Sequence, residues 1–310
     1  MGGLGRDHVS TLTHAGSCPK CFYVFPPIHE SAPVYFEQGY IACSKCQAQT
    51  DLWSAVLDGT LIQPPMPMCL IGLGATQTNF MRDIEANKYH EIPLADVGIP
   101  ADATALQVGY TPQGGKGGAV FPIEWHGNVP HRRIVGNILR LLGRPATSGD
   151  GTVGSICPVL IWVVGVHQQA EDSWPYVVSA FEAFIDGHYD RVIVPAQSAM
   201  EISLMPVIRE LLERHASRDH AKGFMGDRLT FGNAIKVILP FVCGQAGLPK
   251  LPEKIRISLN KLRKLRNTIV HSGTGCDKTT SQQAVEGLCA AVFGFEYVRY
   301  AKPKLLAWLK

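Results

Sequence analysis

Two short motifs near the start constrain this chain more than anything else in it: Cys18-Pro-Lys-Cys21 and Cys43-Ser-Lys-Cys46, with 21 residues between them. Each Cys-x-x-Cys pair sets two sulfurs on one side of a tight turn. Two such pairs at this distance have the spacing of a four-thiolate zinc site, each sulfur about 2.3 Å from a tetrahedral ion. The competing reading is a pair of redox-active dithiols. Cys18, Cys21, Cys43 and Cys46 are therefore the expected ligands, with His14 and His29 as lesser candidates. Four sulfurs close the shell, so the expected Zn2+ is structural and takes no part in catalysis. Lys20 and Lys45 offset part of the thiolate charge. Tyr23, Val24, Phe25, Val34, Tyr35 and Phe36, lying between the pairs, are β-prone and suggest a zinc-ribbon hairpin.

The rest of the 310 residues can build ordinary cores, since 46% of positions are hydrophobic and 18% charged. With 29 Lys plus Arg against 26 Asp plus Glu the formal charge is only +3, which excludes a surface that grips nucleic acid everywhere. Any basic site must be local. The longest apolar run, 156–166, is interrupted by Pro158 and Gly165 and is far short of the roughly 20 residues of a membrane helix. No membrane partner is expected. Residues 1–14 lack an apolar stretch behind a basic start, so a cytoplasmic, reducing location is expected. The nine Cys then read as metal ligands, nucleophiles or core residues, and the isolated Cys69, Cys157, Cys243, Cys276 and Cys289 as small core residues.

Texture divides the chain into three blocks. Residues 1–50 form the expected zinc ribbon. Residues 51–167 alternate short apolar runs with Gly and Pro: Leu61-Ile62, Cys69 to Ile71, Ala105 to Tyr110, Val120-Phe121 and Val159 to Val164. That pattern predicts a small β-sandwich or barrel, with a helix inserted at 130–142 and Trp162 packing within a strand, and the lack of catalytic residues before Gln168 suggests a sensor or recognition domain. Residues 168–310 switch to helical spacing. Helices are predicted around Trp174–Ile185, Val192–His215 with a bend at Pro206, Phe231–Cys243, Pro252–His271 and Gln283–Arg299. Five such helices make an antiparallel bundle the default. The expected fold is thus multi-domain α+β: ribbon, β-rich module, helical bundle.

The fourth predicted helix carries the most chemical information. Ile255, Leu259, Leu262 and Ile269 mark its buried stripe, and the same spacing places Arg266 on that stripe. Desolvating an unpaired guanidinium is unfavourable by several kcal/mol, so Arg266 must meet a carboxylate, a cleft or a phosphate. Asn267 and His271 are four apart, stacked on one helix face where the amide can orient the imidazole. Gly273 ends the helix, whose negative dipole end favours a protonated His271. Between Lys250 and Arg266 stand Lys250, Lys254, Arg256, Lys261, Arg263, Lys264 and Arg266 against Glu253 alone. Such a strip can track a phosphate backbone, or it is a solvated helix face. For Arg266 and His271 the competing account is a buried salt bridge and a capping histidine.

Through Arg266-Asn267-Thr-Ile-Val-His271 and the earlier helix segment Ala196-Gln-Ser-Ala-Met-Glu201, residues 170–300 resemble the HEPN superfamily of all-α domains. The resemblance implies a homodimer through the C-terminal bundle, its two Arg–His pairs facing one another across the two-fold axis. It also implies metal-independent endoribonuclease activity of the kind found in toxins, antiphage defence effectors and CRISPR-associated nucleases. RNA would be the substrate, with an antitoxin or a defence-system protein as a further partner.

The residues suit that chemistry independently. RNA can be cut without a metal when a base takes the 2′-hydroxyl proton and a cation stabilises the charge gathering on phosphorus. His271 suits the first role near neutral pH and the Arg266 fork the second, with Asn267 positioning the pair and a 2′,3′-cyclic phosphate as product. Glu201, an acid amid Ala and Met, is expected to pair with Arg266 or orient it.

Two other segments are less specific. Gly114-Gly-Lys116-Gly-Gly118 lacks the Ser or Thr that follows Lys in a P-loop and reads better as a hairpin tip. Glu124 to Arg133, with His126, His131, Arg132 and Arg133, is an RNA contact or a polar loop. No nucleophilic triad, dinucleotide fold or catalytic metal is marked. Two further classes stand beside the nuclease. One is a non-catalytic nucleic-acid- or partner-binding module with a dimeric HEPN scaffold and the ribbon as contact surface. The other is a ligand sensor in the β module that the bundle reports by dimerising.

Overall fold

Burial, more than β-propensity, decides what the segment between the two cysteine pairs becomes. In a computed structural model describing residues 9–62, 67–113, 120–123, 134–135, 138–145, 155–167, 169, 171–227, 229–272 and 279–308, it is largely the helix α1 (Ile28–Gln38). Ile28, Ser31, Ala32, Tyr35 and Phe36 are its buried residues, a helical stripe that outweighs the β-branched and aromatic composition. Gly39, at φ 78°, stops it and donates its N–H to the Tyr35 carbonyl at 2.8 Å. The expected long hairpin through Val34–Phe36 is therefore replaced by two short ones. One sets Ser17 against Val24; the other pairs β2 (Ile41–Ala42) with β3 (Gln49–Thr50).

The Leu61-Ile62 run is likewise helical. It ends α2 (Leu52–Ile62), whose Leu52, Trp53, Val56 and Thr60 are buried and whose Thr60 hydroxyl back-bonds to the Val56 carbonyl at 2.8 Å. The 3₁₀ turn Pro67–Leu73 takes up the Cys69–Ile71 run. Both were expected as strands, and a short apolar run cannot by itself distinguish the two.

The chain folds as two compact units. One comprises Met1–Thr13 and Ala75–Gln168, the other His14–Gly74 and Gln169–Lys310. The cysteine motifs thus share a unit with the C-terminal helices.

The first unit is built on antiparallel strands. β1 (Ser10–Leu12), β4 (Thr76–Glu85), β10 (Ile156–Val166) and β6 (Thr104–Pro112) form a sheet in the order β1-β4-β10-β6. β5 (Tyr89–Pro93), β9 (Ile138–Pro145) and β7 (Val120–Ile123) form a second, with β8 (Ile134–Val135) also on β9. Phe80, Ile84 and Ile161 from the first sheet meet Ile92, Leu139 and Leu141 from the second in one core. The helix expected at 130–142 is instead strand wherever that stretch is described, because Leu139 and Leu141 alternate into this core with period two. Trp162 packs as expected: it faces Gly109 across the ladder, where a Cβ would fall 1.9 Å from its ring. The Gly114–Gly118 segment and Glu124–Arg133 lie outside the described residues.

The second unit is mostly helical. Its late part runs through α3 (Trp174–Ile185), α4 (Tyr189–Glu213), α5 (Arg218–Asp227), α6 (Phe231–Asn233), a π turn (Ala234–Ile238), α7 (Leu239–Gln245), α8 (Glu253–Ser272) and α9 (Ser281–Trp308). α4 continues as one helix through Pro195 and Pro206, and α5 has no counterpart among the predicted helices. α9 packs against α1, α2, α3, α4 and α8 and is buried on nearly every face from Ala284 to Val298, as a central helix must be. The cysteine module docks on it through aromatic contacts: Tyr35 and Trp53 against Phe293, and Phe36 against Tyr297 and Tyr300. Among the described residues no helix is long and apolar enough to cross a membrane.

Candidate functional site

The four motif cysteines come together. Cys18 and Cys46 sulfurs lie 3.6 Å apart, those of Cys21 and Cys43 3.5 Å, and all four lie within 4.8 Å of one another. A tetrahedron with ligands at ~2.3 Å has edges of ~3.8 Å, so these sulfurs already surround a metal-sized centre, and they are too far apart for disulfides.

Both turns have the same backbone. Phe22 N–H donates to the Cys18 carbonyl at 2.9 Å and Gln47 N–H to the Cys43 carbonyl at 2.8 Å. Cys18 N–H in turn donates to Tyr23 O at 2.9 Å, and Cys43 N–H to Ala48 O at 3.0 Å. Phe22 and Gln47 take left-handed φ values of 57° and 59°.

Within each turn, backbone N–H groups converge on the first sulfur. Burial pushes the Cys18 thiol up, but the N–H groups of Cys21 and Lys20 and the neighbouring thiols bring it down to about 6. Cys43 is lowered in the same way by Cys46 and Lys45. At Cys21 the Tyr23 N–H pulls downward, while burial and the other three thiols prevail and raise it to about 12. Like charges in one small shell cannot all form unaided, and a dication removes that conflict. The four cysteines can therefore hold a metal ion, with no ligand position left open among the four sulfurs. His14 and His29 lie outside the group: His14 Nδ1 accepts from Gly16 N–H at 3.1 Å, and His29 sits 3.6 Å from the Glu30 carboxylate.

On α8, Ile255, Leu259 and Leu262 are buried, while Arg266 and Ile269 are half-buried further along the same stripe. Arg266 meets no carboxylate among the described residues. Its Nη1 donates to Asn267 Oδ1 at 3.3 Å, and its Nε is buried without a hydrogen-bond partner. Asn267 therefore serves Arg266; no hydrogen bond joins it to His271. His271 is exposed in the last turn of α8. Glu201 accepts from Gln197 Nε2 at 3.1 Å and forms no ion pair with Arg266 among the described residues, and the buried Gln197 keeps an unpartnered Oε1. Arg266, Asn267 and His271 thus share the end of one helix, and Glu201 belongs to a separate contact on α4.

Arg263 was not singled out within the sequence. It too has a buried, unpartnered Nε, and it lies over Gly232, where a Cβ would come 3.3 Å from that nitrogen. Its place in the basic strip, one turn before Arg266, is the sequence signal for it.

Ion pairing, local and tertiary, trims the basic strip. Lys254 pairs with Asp51, Arg256 with Glu253, and Lys261 with Glu286 at 2.8 Å. Glu286 also accepts from Ser258, and despite burial these partners hold its carboxyl below the usual range. Lys264 and Arg266 carry no ion pair among the described residues.

A cleft of about 440 Å3 opens elsewhere in this unit, between the start of α3, the middle of α4 and late α9. Its wall includes Arg299 and Glu171, whose Nε and Oε1 atoms, respectively, are 3.2 Å apart. It contains none of the residues singled out on α8. Comparison with protein-family models, curated proteins and solved structures found no match.

Proposed function

We propose that the helical unit is a metal-independent endoribonuclease of HEPN type, working as a dimer in which two α8 ends face one strand of RNA. The observation that carries this reading is the state of Arg266: a half-buried guanidinium with an unpartnered Nε, no carboxylate among the described residues, and an exposed imidazole five positions on. A protein that needed Arg266 only for packing would satisfy it internally, because an unpaired buried donor is unfavourable by about 1–3 kcal/mol. Nε holds no partner inside the protein, and Nη2, which is not closed off in this way, is the atom open to a phosphate oxygen.

In the reaction, one His271 imidazole takes the 2′-hydroxyl proton and the 2′-oxygen bonds to phosphorus. The Arg266 guanidinium bonds the equatorial oxygens, where negative charge increases. The P–O5′ bond then breaks, and the symmetry-related imidazole protonates the leaving 5′-oxygen. The products are a 2′,3′-cyclic phosphate and a 5′-hydroxyl. Asn267 fixes the guanidinium by accepting from Nη1.

Zn2+ is the ion we assign to the four cysteines, since thiolates in tetrahedral array favour it and a closed shell suits a structural role. A toxin or antiphage effector in the cytoplasm, restrained by an antitoxin or a defence-system partner, is the setting that fits such an activity.

The test is cleavage of labelled RNA in magnesium-free buffer by wild type, Arg266→Ala and His271→Ala, each with its metal content measured, with end-group analysis of the products. Wild type should cut and leave cyclic phosphate, and either variant should lose about 10²-fold or more. Equal cleavage by the variants would refute the assignment. RNA binding without any cleavage would favour the non-catalytic binding module.

A further inference from the structure

The two metal-binding turns act as an internal control on one another. They share two backbone hydrogen bonds and a left-handed φ at the residue after the second cysteine, so the turn itself does not dictate which side chain stands there. In one turn that residue is Gln47. In the other it is Phe22, 80% exposed, followed by Tyr23 and Val24, each nearly half exposed. A phenylalanine with left-handed φ and its ring in water contributes nothing to the fold that a glutamine would not, and burial would ordinarily claim it. Lys20 and Lys45 occupy matching exposed positions in the two turns, and neither residues 14–27 nor residues 41–50 include an Asp or Glu. The closest acids along the chain are otherwise engaged: Asp51 by Lys254, Tyr35 and Ser54, and Glu30 beside His29.

We infer that the tip formed by Lys20, Phe22, Tyr23 and Lys45 is a stacking platform for single-stranded RNA. Aromatic faces stack on unpaired bases of any sequence, and ammonium groups follow the phosphates between them. An apolar protein partner would account for the rings alone; the two lysines, which offset only part of the thiolate charge, stand on segments without an acid and suit a phosphate. A duplex keeps its bases stacked inside, so the rings have nothing to take. The inference rests on the proposed function in taking RNA as the ligand, and it adds the strand state that the protein selects.

The full chain carrying His271→Ala, with its metal content measured, is titrated against a fluorescent 12-nucleotide oligouridine and a duplex RNA of equal length. Phe22→Gln installs the residue that the second turn already accommodates at the same φ. It should weaken single-strand binding about tenfold and leave duplex binding unchanged, while Phe22→Trp binds as the parent does. Tyr23→Ala, which has no left-handed φ to satisfy, should weaken single-strand binding similarly and decides the matter if Phe22→Gln alters metal content. Unchanged single-strand affinity in both variants, equal losses on single strand and duplex, or no single-strand binding by the parent would each overturn the inference. Strong binding sensitive to Phe22 in a wild type that never cleaves would end the nuclease reading and leave this platform standing.

Discussion

The ring of Phe36 meets that of Tyr297 edge-on, with centroids 5.1 Å apart and planes at 82°. Phe36 lies on α1, between the two cysteine pairs, and Tyr297 on α9, the central helix of the bundle. Tyr297 also donates its hydroxyl to the Pro249 carbonyl at 2.6 Å, and Cys243 Sγ lies 3.2 Å from the same oxygen. One tyrosine thus joins the four-cysteine segment, the end of α7 and the approach to α8. The module that looks self-contained in sequence shares its core with the helices that carry Arg266.

Truncating that contact should therefore weaken the whole helical unit. Phe36 is buried, and Phe→Ala in a core costs about 3–5 kcal/mol. In urea denaturation followed by far-ultraviolet circular dichroism, Phe36→Ala should shift the midpoint of the helical transition to lower urea. A shift confined to metal release, with helical signal unmoved, would mean that the two parts fold separately.

Metal removal should act through the same path. Binding energy delivered to the four cysteines is folding energy for whatever shares their core. Chelation, or Cys18→Ser with Cys43→Ser, is expected to lower the melting temperature of the helical signal by several degrees. Equal melting curves with and without metal would contradict the shared core.

Glu296 introduces a pH dependence opposite to that of Asp51, Glu253 and Glu286. It is 5% exposed, and burial raises its pKa despite Arg299 Nη1 at 3.2 Å. A carboxyl with a raised folded-state pKa binds more protons folded than unfolded, so stability falls as pH rises from the unfolded value through the raised one. Asp51, Glu253 and Glu286 are lowered, and their contribution is lost on acidification below the ordinary carboxylate range. Stability against pH should climb out of the acid range and then decline just above it. Glu296→Gln should abolish the decline and keep the climb; a decline that persists in the variant assigns it to another group.

The two cysteine pairs were legible because a four-thiolate site demands both residue type and spacing, and among the described residues no other His, Cys, Asp or Glu joins their group. Arg266 was legible for a similar reason: period 3.6 puts it on a buried stripe whatever it touches. α1 was not, since Val34, Tyr35 and Phe36 favour strand locally and only the distant surface of α9 makes the helical stripe pay. The stretch at 138–145 erred the other way, its alternation into the β core hidden under residues with good helix propensity. The basic strip misled because charge was counted along the chain. Asp51 and Glu286, which neutralise Lys254 and Lys261, stand 203 and 25 positions away from their partners.

That neutralisation predicts which cations RNA would feel. Binding should weaken with salt as counterions are released, with a log–log slope that falls by about 0.7 for each phosphate contact removed from a single strand. Lys264→Ala and Arg266→Ala, which remove cations with no ion pair among the described residues, should each reduce the slope by about that much. Lys261→Ala removes a cation already matched by Glu286 and, like Lys254→Ala beside Asp51, should leave the slope nearly unchanged. The measurement is oligouridine binding between 50 and 300 mM salt on the His271→Ala background. Equal slope changes for all four variants would mean that the strand displaces the ion pairs and follows the whole of α8, while no change in any would place RNA on another face.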